Sequence, residues 1–155
     1  MIYIIVALKA EAQAFVDKYK LKEYKNNDIQ VVISGMGADA MMQTTTKVLK
    51  TFSQNDMIIN VGICGASQNY TIGQLIDARD EKITCINYEA TDAKYDIVDM
   101  ESSGFIDATK DVTNSFIFKV VSDHFEPKTV TKDMAKKLIS NQIDEIMKRV
   151  IRCEE

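Results

Sequence analysis

Two hydrophobic rhythms alternate along this chain. Short unbroken apolar runs suit strands buried on both faces, and between them apolar residues return every three or four positions, as on one face of a helix. Residues 2–7 form the first such strand, and residues 9–19 follow with Ala12, Phe15, Val16 and Tyr19 at helical spacing. Asn26-Asn27-Asp28 marks a turn before a strand over 29–33, which ends at Ser34-Gly35-Met36-Gly37. A helix is predicted from Ala38 to Phe52, then a buried strand over 57–61 ending at Gly62-Ile63-Cys64-Gly65. Residues 72–86 read as one or two strands, 95–99 as a strand, 101–110 as a helix and 115–121 as a strand. A final helix starts near Thr131, a good N-cap with Asp133 in the first turn. Its apolar stripe runs through Met134, Leu138, Ile139, Ile143, Ile146, Met147, Val150 and Ile151.

Alternating strands and helices argue for an α/β fold with a largely parallel sheet. The expected architecture is a three-layer α/β/α sandwich around a twisted, mixed, mostly parallel sheet. With 155 residues, one proline, no repeat and no linker, a single domain over 1–155 is expected. The net charge is −4 with lysines scattered among acids, so nucleic acid is not an expected partner. The first residues lack a basic leader and read as a strand, not a signal peptide. No apolar run approaches a membrane span in length. Cys64, Cys85 and Cys153 are odd in number and in no metal-binding spacing, so reduced thiols in a cytoplasmic protein are expected, with no metal and no cofactor.

The candidate chemistry sits at strand ends. One apolar run passes straight into Ser122-Asp123-His124, and another into Asp99-Met100-Glu101-Ser102. In open α/β sheets ligands bind beyond the carboxyl ends of strands, so two carboxylate-bearing ends suggest one shared cleft. Each residue also has a plainer reading. Asp123 suits a turn or helix cap, and Glu101 suits the first turn of a helix. Asp99 reads as structural or solvated, Glu11 as a solvent-facing helix residue, and Lys119 as a strand lysine just outside the site. His124, the single histidine, reads as a solvated loop residue. Cys64 reads as a small buried filler, and Met41, Met42, Met134 and Met147 read as core. Gly35 and Gly37 allow a tight turn or close backbone approach, and Gly62 and Gly65 line a ligand or permit a bend.

The order of these motifs carries a resemblance. Ser34-Gly35-Met36-Gly37, then Asp56 to Gly65, then Asp99-Met100-Glu101, then Val121-Ser122-Asp123 resembles the purine nucleoside phosphorylase and nucleosidase superfamily. The likeness is strongest to methylthioadenosine/S-adenosylhomocysteine nucleosidases, in a shortened form, and Ile4 to Glu11 is similar to that family's first strand and acidic loop. The resemblance implies an N-glycosidic hydrolase acting on a small-molecule purine nucleoside. By it, Asp123 is the acid that protonates the purine and Glu11 orients the attacking water. Glu101 grips the ribose hydroxyls, Met100 and Met36 lie near the sugar, and Gly35, Ile63, Gly65 and Lys119 complete the substrate contacts. It also implies a homodimer, for which the helix 38–52, with Met41, Met42 and Val48, is a candidate surface. The chain departs from the family in its short connection between Arg79 and Tyr95, in Lys119 where the family has arginine, and in Ile63 where it has a small polar residue.

A phosphorylase would need a phosphate site of arginines, serine and backbone amides. Only Lys9 stands in the first loop, and no arginine precedes Arg79, so hydrolysis is the expected reaction. A purine nucleoside phosphorylase and a non-catalytic nucleoside-binding relative are the alternative expectations that stay open.

Overall fold

Strand β1 (Ile2–Val6) is fully buried at Ile4, Ile5 and Val6, which fits its unbroken apolar run. The computed structural model describes residues 1–92 and 94–152, so Cys153 lies outside the described residues. Beyond β1 the order is α1 (Lys9–Tyr19), β2 (Ile29–Ile33), α2 (Ala38–Leu49), β3 (Met57–Ala66), β4 (Leu75–Asp77), β5 (Thr84–Cys85), β6 (Ile97–Asp99), α3 (Ser102–Thr109), β7 (Ser115–Asp123) and α4 (Lys132–Arg152). A single 3₁₀ turn, Pro127–Thr129, precedes α4. Thr131 caps α4 as expected, its Oγ1 accepting the Met134 N–H at 3.1 Å.

The sheet is mixed and mostly parallel. β1 pairs in parallel with β2 and β3, β3 with β7, and β5 with β6, whereas β3/β6 and β4/β7 are antiparallel. The region 72–86 resolves into two short strands on opposite sides of the sheet. Helices α1 and α4 cover one face, where Ile4, Val6, Phe15, Ile59, Val61, Phe118, Ile139 and Ile143 share a core cluster. On the other face, α2 and α3 bury Met41 and Phe105 against Ile5, Ile58 and Ile117. Each fully buried Ile or Phe side chain contributes about 1.5–3 kcal/mol of transfer free energy, so both layers are held chiefly by apolar burial. This is the three-layer α/β/α sandwich that the alternation of elements predicts.

β3 is twice the length predicted, running through Gly62-Ile63-Cys64-Gly65 to Ala66. Along one edge β7 follows it from Ile58 to Gly65. The opposite edge is shared: β1 pairs with residues 57–60, and β6 pairs antiparallel with Gly65 and Ala66. No strand occupies that edge at residues 61–64 among the described residues. The two glycines and the apolar residues between them conceal this strand, because glycine reads as punctuation where here it permits close packing.

The methionine expectations need correction. Met41 and Met147 are core, but Met42 and Met134 are exposed, and the buried stripe of α4 passes through Ala135 in place of Met134, while Ile151 is half exposed. Met41 therefore cannot belong to a subunit surface. No helix among the described residues is long and apolar enough to cross a membrane.

Helices α2 and α3 approach closely at Gly104, where an added Cβ would stand 1.9 Å from the Ala38 carbonyl oxygen. Neither backbone can yield without separating the helices. Gly104→Ala is expected to cost about 2–3 kcal/mol, the upper part of the range for overpacking, read as a lowered midpoint in urea unfolding. An unchanged midpoint would show that the two helices are not in contact there.

Candidate active site

The open edge of β3 is where the polar side chains gather. Glu11 lies in the first turn of α1, and its Oε1 accepts the backbone N–H groups of Leu8 at 2.8 Å and Ala7 at 3.1 Å. Its Oε2 accepts the Ile63 N–H at 2.9 Å. A side chain thus satisfies the backbone donor that a neighbouring strand would otherwise take. Glu11 is 2% exposed, so the solvent-facing reading is overturned. Burial pushes its pKa up to about 7, against the opposing pull of Lys119 and the backbone donors.

Lys119 stands on β7, directly across from Gly62. It is 1% exposed, and its Nζ lies 3.1 Å from Asp99 Oδ2. Burial disfavours the ammonium, but Asp99, Glu101 and Glu11 outweigh that and raise its pKa. Glu101 precedes α3 and accepts the Gly37 N–H at 2.8 Å through Oε2. Burial raises the Glu101 pKa, while Lys119 and that hydrogen bond oppose the shift. Gly37 sits at the start of α2 with φ +101, a conformation that favours glycine. Asp99 closes the cluster: Oδ2 accepts the Ser102 N–H at 2.8 Å and Oδ1 the Ser102 Oγ–H at 2.6 Å. It is buried and structural, not solvated. A Cβ on Gly62 would lie 2.9 Å from Glu11 Oε2 and 3.2 Å from Lys119 Nζ. A side chain there would displace the Glu11 carboxylate and crowd the Lys119 ammonium.

Asp123 ends β7. Its Oδ1 accepts the Ser122 Oγ–H at 2.6 Å, and its Oδ2 accepts the Glu126 N–H at 2.9 Å. The turn role is therefore real, and it fixes the carboxylate in place. His124 is half-buried, and its Nδ1–H donates to the Ala66 carbonyl at 2.9 Å, so it is not a free loop residue.

The four carboxylates Glu11, Asp99, Glu101 and Asp123 border one cavity of about 640 Å³. Asp123, Glu11, Glu101, Met100, Met36, Ile63 and Gly65 all line it. Two residues expected at the ligand do not. Lys119 lies behind the wall, locked to Asp99 beneath Glu11 and Glu101, and Gly35 turns the chain at φ +86 away from the lining. Cys64 lines the cavity but is almost fully buried, and burial drives its thiol pKa far upward, as befits a filler and not a nucleophile. The short connection still supplies a wall through Tyr88, Glu89 and Ala90, and the Pro127 turn with the start of α4 supplies another. Those residues carry no motif; only a placed backbone brings them to the cavity. Among the described residues no group of three or more His, Cys, Asp or Glu is placed to hold a metal.

Neither a protein-family model nor a curated protein sequence matches the chain. Solved structures do. A 5′-methylthioadenosine/S-adenosylhomocysteine nucleosidase from Helicobacter pylori superposes with a TM-score of 0.77 at 13% identity over 97% of each chain. The futalosine hydrolase of the same organism gives 0.76 at 12% identity, again over 97% of each chain. The nucleosidase from Neisseria meningitidis gives 0.70 at 14% identity over 96% of this chain and 98% of that one. At such identities the likeness is one of fold. The chain has the nucleoside phosphorylase-like three-layer sandwich that its motif order implied.

Removing the buried cation tests the cluster. Lys119→Met leaves its carboxylates without a counter-charge, and the expected loss is about 3–5 kcal/mol at pH 8. Without the ammonium the folded-state pKa values of Glu11 and Glu101 rise further. Carboxyls that hold protons more tightly folded than unfolded lose stability as pH rises from the unfolded value toward the folded one. The variant should therefore lose stability more steeply than the parent between pH 5 and pH 8, measured by urea unfolding. Parallel curves would show that Lys119 does not balance these groups.

Proposed function

We propose that this protein is a nucleosidase, hydrolysing the N-glycosidic bond of a purine nucleoside such as methylthioadenosine or S-adenosylhomocysteine. The observation that carries the reading is the convergence of Glu11, Glu101 and Asp123, from three separate elements, on one cavity at the carboxyl ends of the central strands.

The reaction breaks the bond between C1′ and N9 with its electron pair leaving on the base. The sugar passes through an oxocarbenium-like state, as in glycoside hydrolysis generally. Asp123 delivers the proton that neutralises the base at N7. Glu101 accepts hydrogen bonds from the ribose hydroxyls, and its negative charge favours the cationic sugar. Water bonds to C1′ from the opposite face while its proton passes to Glu11. Lys119 serves as a positioning residue, holding Glu11 and Glu101 in place from behind. Ser122 and the Glu126 N–H aim Asp123. No arginine lines the cavity among the described residues, which favours water over phosphate as the acceptor. A homodimer belongs to the same proposal, with exposed Met42 in place of Met41 on its surface.

A second reading has one observation behind it. Both oxygens of Asp123 already accept hydrogen bonds, which suits a binding protein that holds a nucleoside without cleaving it.

Chromatography of base release decides between them. Release without phosphate is expected, and Asp123→Asn should lower it at least about 100-fold, the size of a general-acid contribution. Binding without release would establish the second reading.

A base must be ionised to act, and the Glu11 pKa is pushed up to about 7 by burial. The value of kcat/KM is therefore expected to climb about tenfold per pH unit below neutrality, as Glu11 ionises. Glu11→Gln should abolish that rise. An unchanged profile in the variant would assign the titration to another group.

A further inference from the structure

The turn after β7 holds its strain at Phe125. The backbone there stands at φ +64, a left-handed conformation that glycine or asparagine takes readily and a bulky side chain does not. Such a conformation persists only where the surroundings over-determine it. Two contacts do so here. Across the backbone of Phe125, Asp123 Oδ2 accepts the Glu126 N–H at 2.9 Å. The ring, 6% exposed, is buried with Ala90 and Val98, and Ile86 and Tyr95 pack against the three. The two contacts meet over Gly65, where an added Cβ would lie 3.5 Å from the Phe125 ring and 3.7 Å from Asp123 Oδ2.

Ile86, Ala90 and Tyr95 belong to the short connection that walls the cavity through Tyr88, Glu89 and Ala90. Among the described residues, no other core cluster holds any part of 86–95. The apolar mooring of that wall is thus the Phe125 ring with Val98. Turn geometry by itself would favour glycine at position 125, so the strained backbone serves the placement of the ring beneath the wall. We propose that Phe125 is a positioning residue that joins this wall to the acid. Its ring moors residues 88–90, and its backbone leads into the Glu126 N–H that aims Asp123, so wall and carboxylate keep one register about a bound base. The inference rests on the nucleoside reading above, in which Asp123 protonates the base.

Phe125→Gly accepts the left-handed backbone and removes the ring. Base release is followed in this variant, in Asp123→Asn and in the double variant. Phe125→Gly alone is expected to lower kcat at least about tenfold, within the roughly 100-fold that a misplacement of about 1 Å costs, with KM changed far less. In the Asp123→Asn background the same substitution should cost less than about twofold, since no acid is left to aim. Tryptic cleavage after Lys94 should also quicken in Phe125→Gly, because the wall is unmoored. Phe125→Leu keeps most of the apolar burial and decides the matter should the glycine variant not fold, with the same pattern at smaller size. Losses that multiply across the two substitutions, unchanged base release, or unchanged cleavage at Lys94 overturn the inference and leave the nucleoside reading standing. No base release by the parent protein removes the nucleoside reading together with the inference.

Discussion

An ammonium taken out of water must be matched by negative charge close at hand, and much of this structure follows from how Lys119 meets that demand. Its nearest partner, Asp99, is also the residue that fixes the start of α3 through Ser102. Glu101, next along, ties the start of α3 to the start of α2 through the Gly37 N–H. Glu11 brings in α1. One cation on β7 thus sets the positions of three helix starts, all at the same end of the sheet. Glu11 and Glu101, two of the carboxylates that line the cavity, are held by the same charge that keeps them from repelling one another.

The sheet makes room for this arrangement. β3 keeps a continuous partner on one edge but exchanges β1 for β6 on the other, and between them its backbone would lack a partner. The Glu11 carboxylate fills that gap in the plane of the sheet, accepting the Ile63 N–H. A break in strand pairing, which would be a defect elsewhere, here admits a titratable group into the centre of the fold. Gly62 allows it by leaving the space above β3 to two charged side chains. The raised Glu11 pKa is a consequence of that position: burial costs the carboxylate more than three backbone hydrogen bonds and a nearby cation return.

The layers were legible from periodicity because apolar burial decides them. Strands β1, β2 and β7 and helices α1 and α4 fall where their hydrophobic rhythm places them, and the Thr131 cap falls where its chemistry does. The second half of β3 was not legible, since its glycines answer to neighbours distant in sequence. Met42 and Met134 were misplaced for a related reason: a flexible apolar side chain at the margin of a stripe faces the core or the solvent according to how the helix is rotated. Of the site, the carboxylates at the strand ends were visible as a pattern. Lys119 stands outside the cavity, as its plainer reading as a strand lysine had it; that it is buried and paired with Asp99 was not legible, because the two are distant in sequence.

Local chemistry by itself determined the alternation of elements, the mixed and mostly parallel sheet, and the presence of acids where strands end. These depend on short-range periodicity and on residue type, which a linear chain carries in full. Tertiary structure alone decided which acids share a cavity, which one is buried deeply enough to titrate near neutrality, and which lysines are paired. Burial and charge pairing depend on distances between residues such as Glu11, Asp99 and Lys119, which lie far apart along the chain and meet only when β3, β7 and three helix starts are in place.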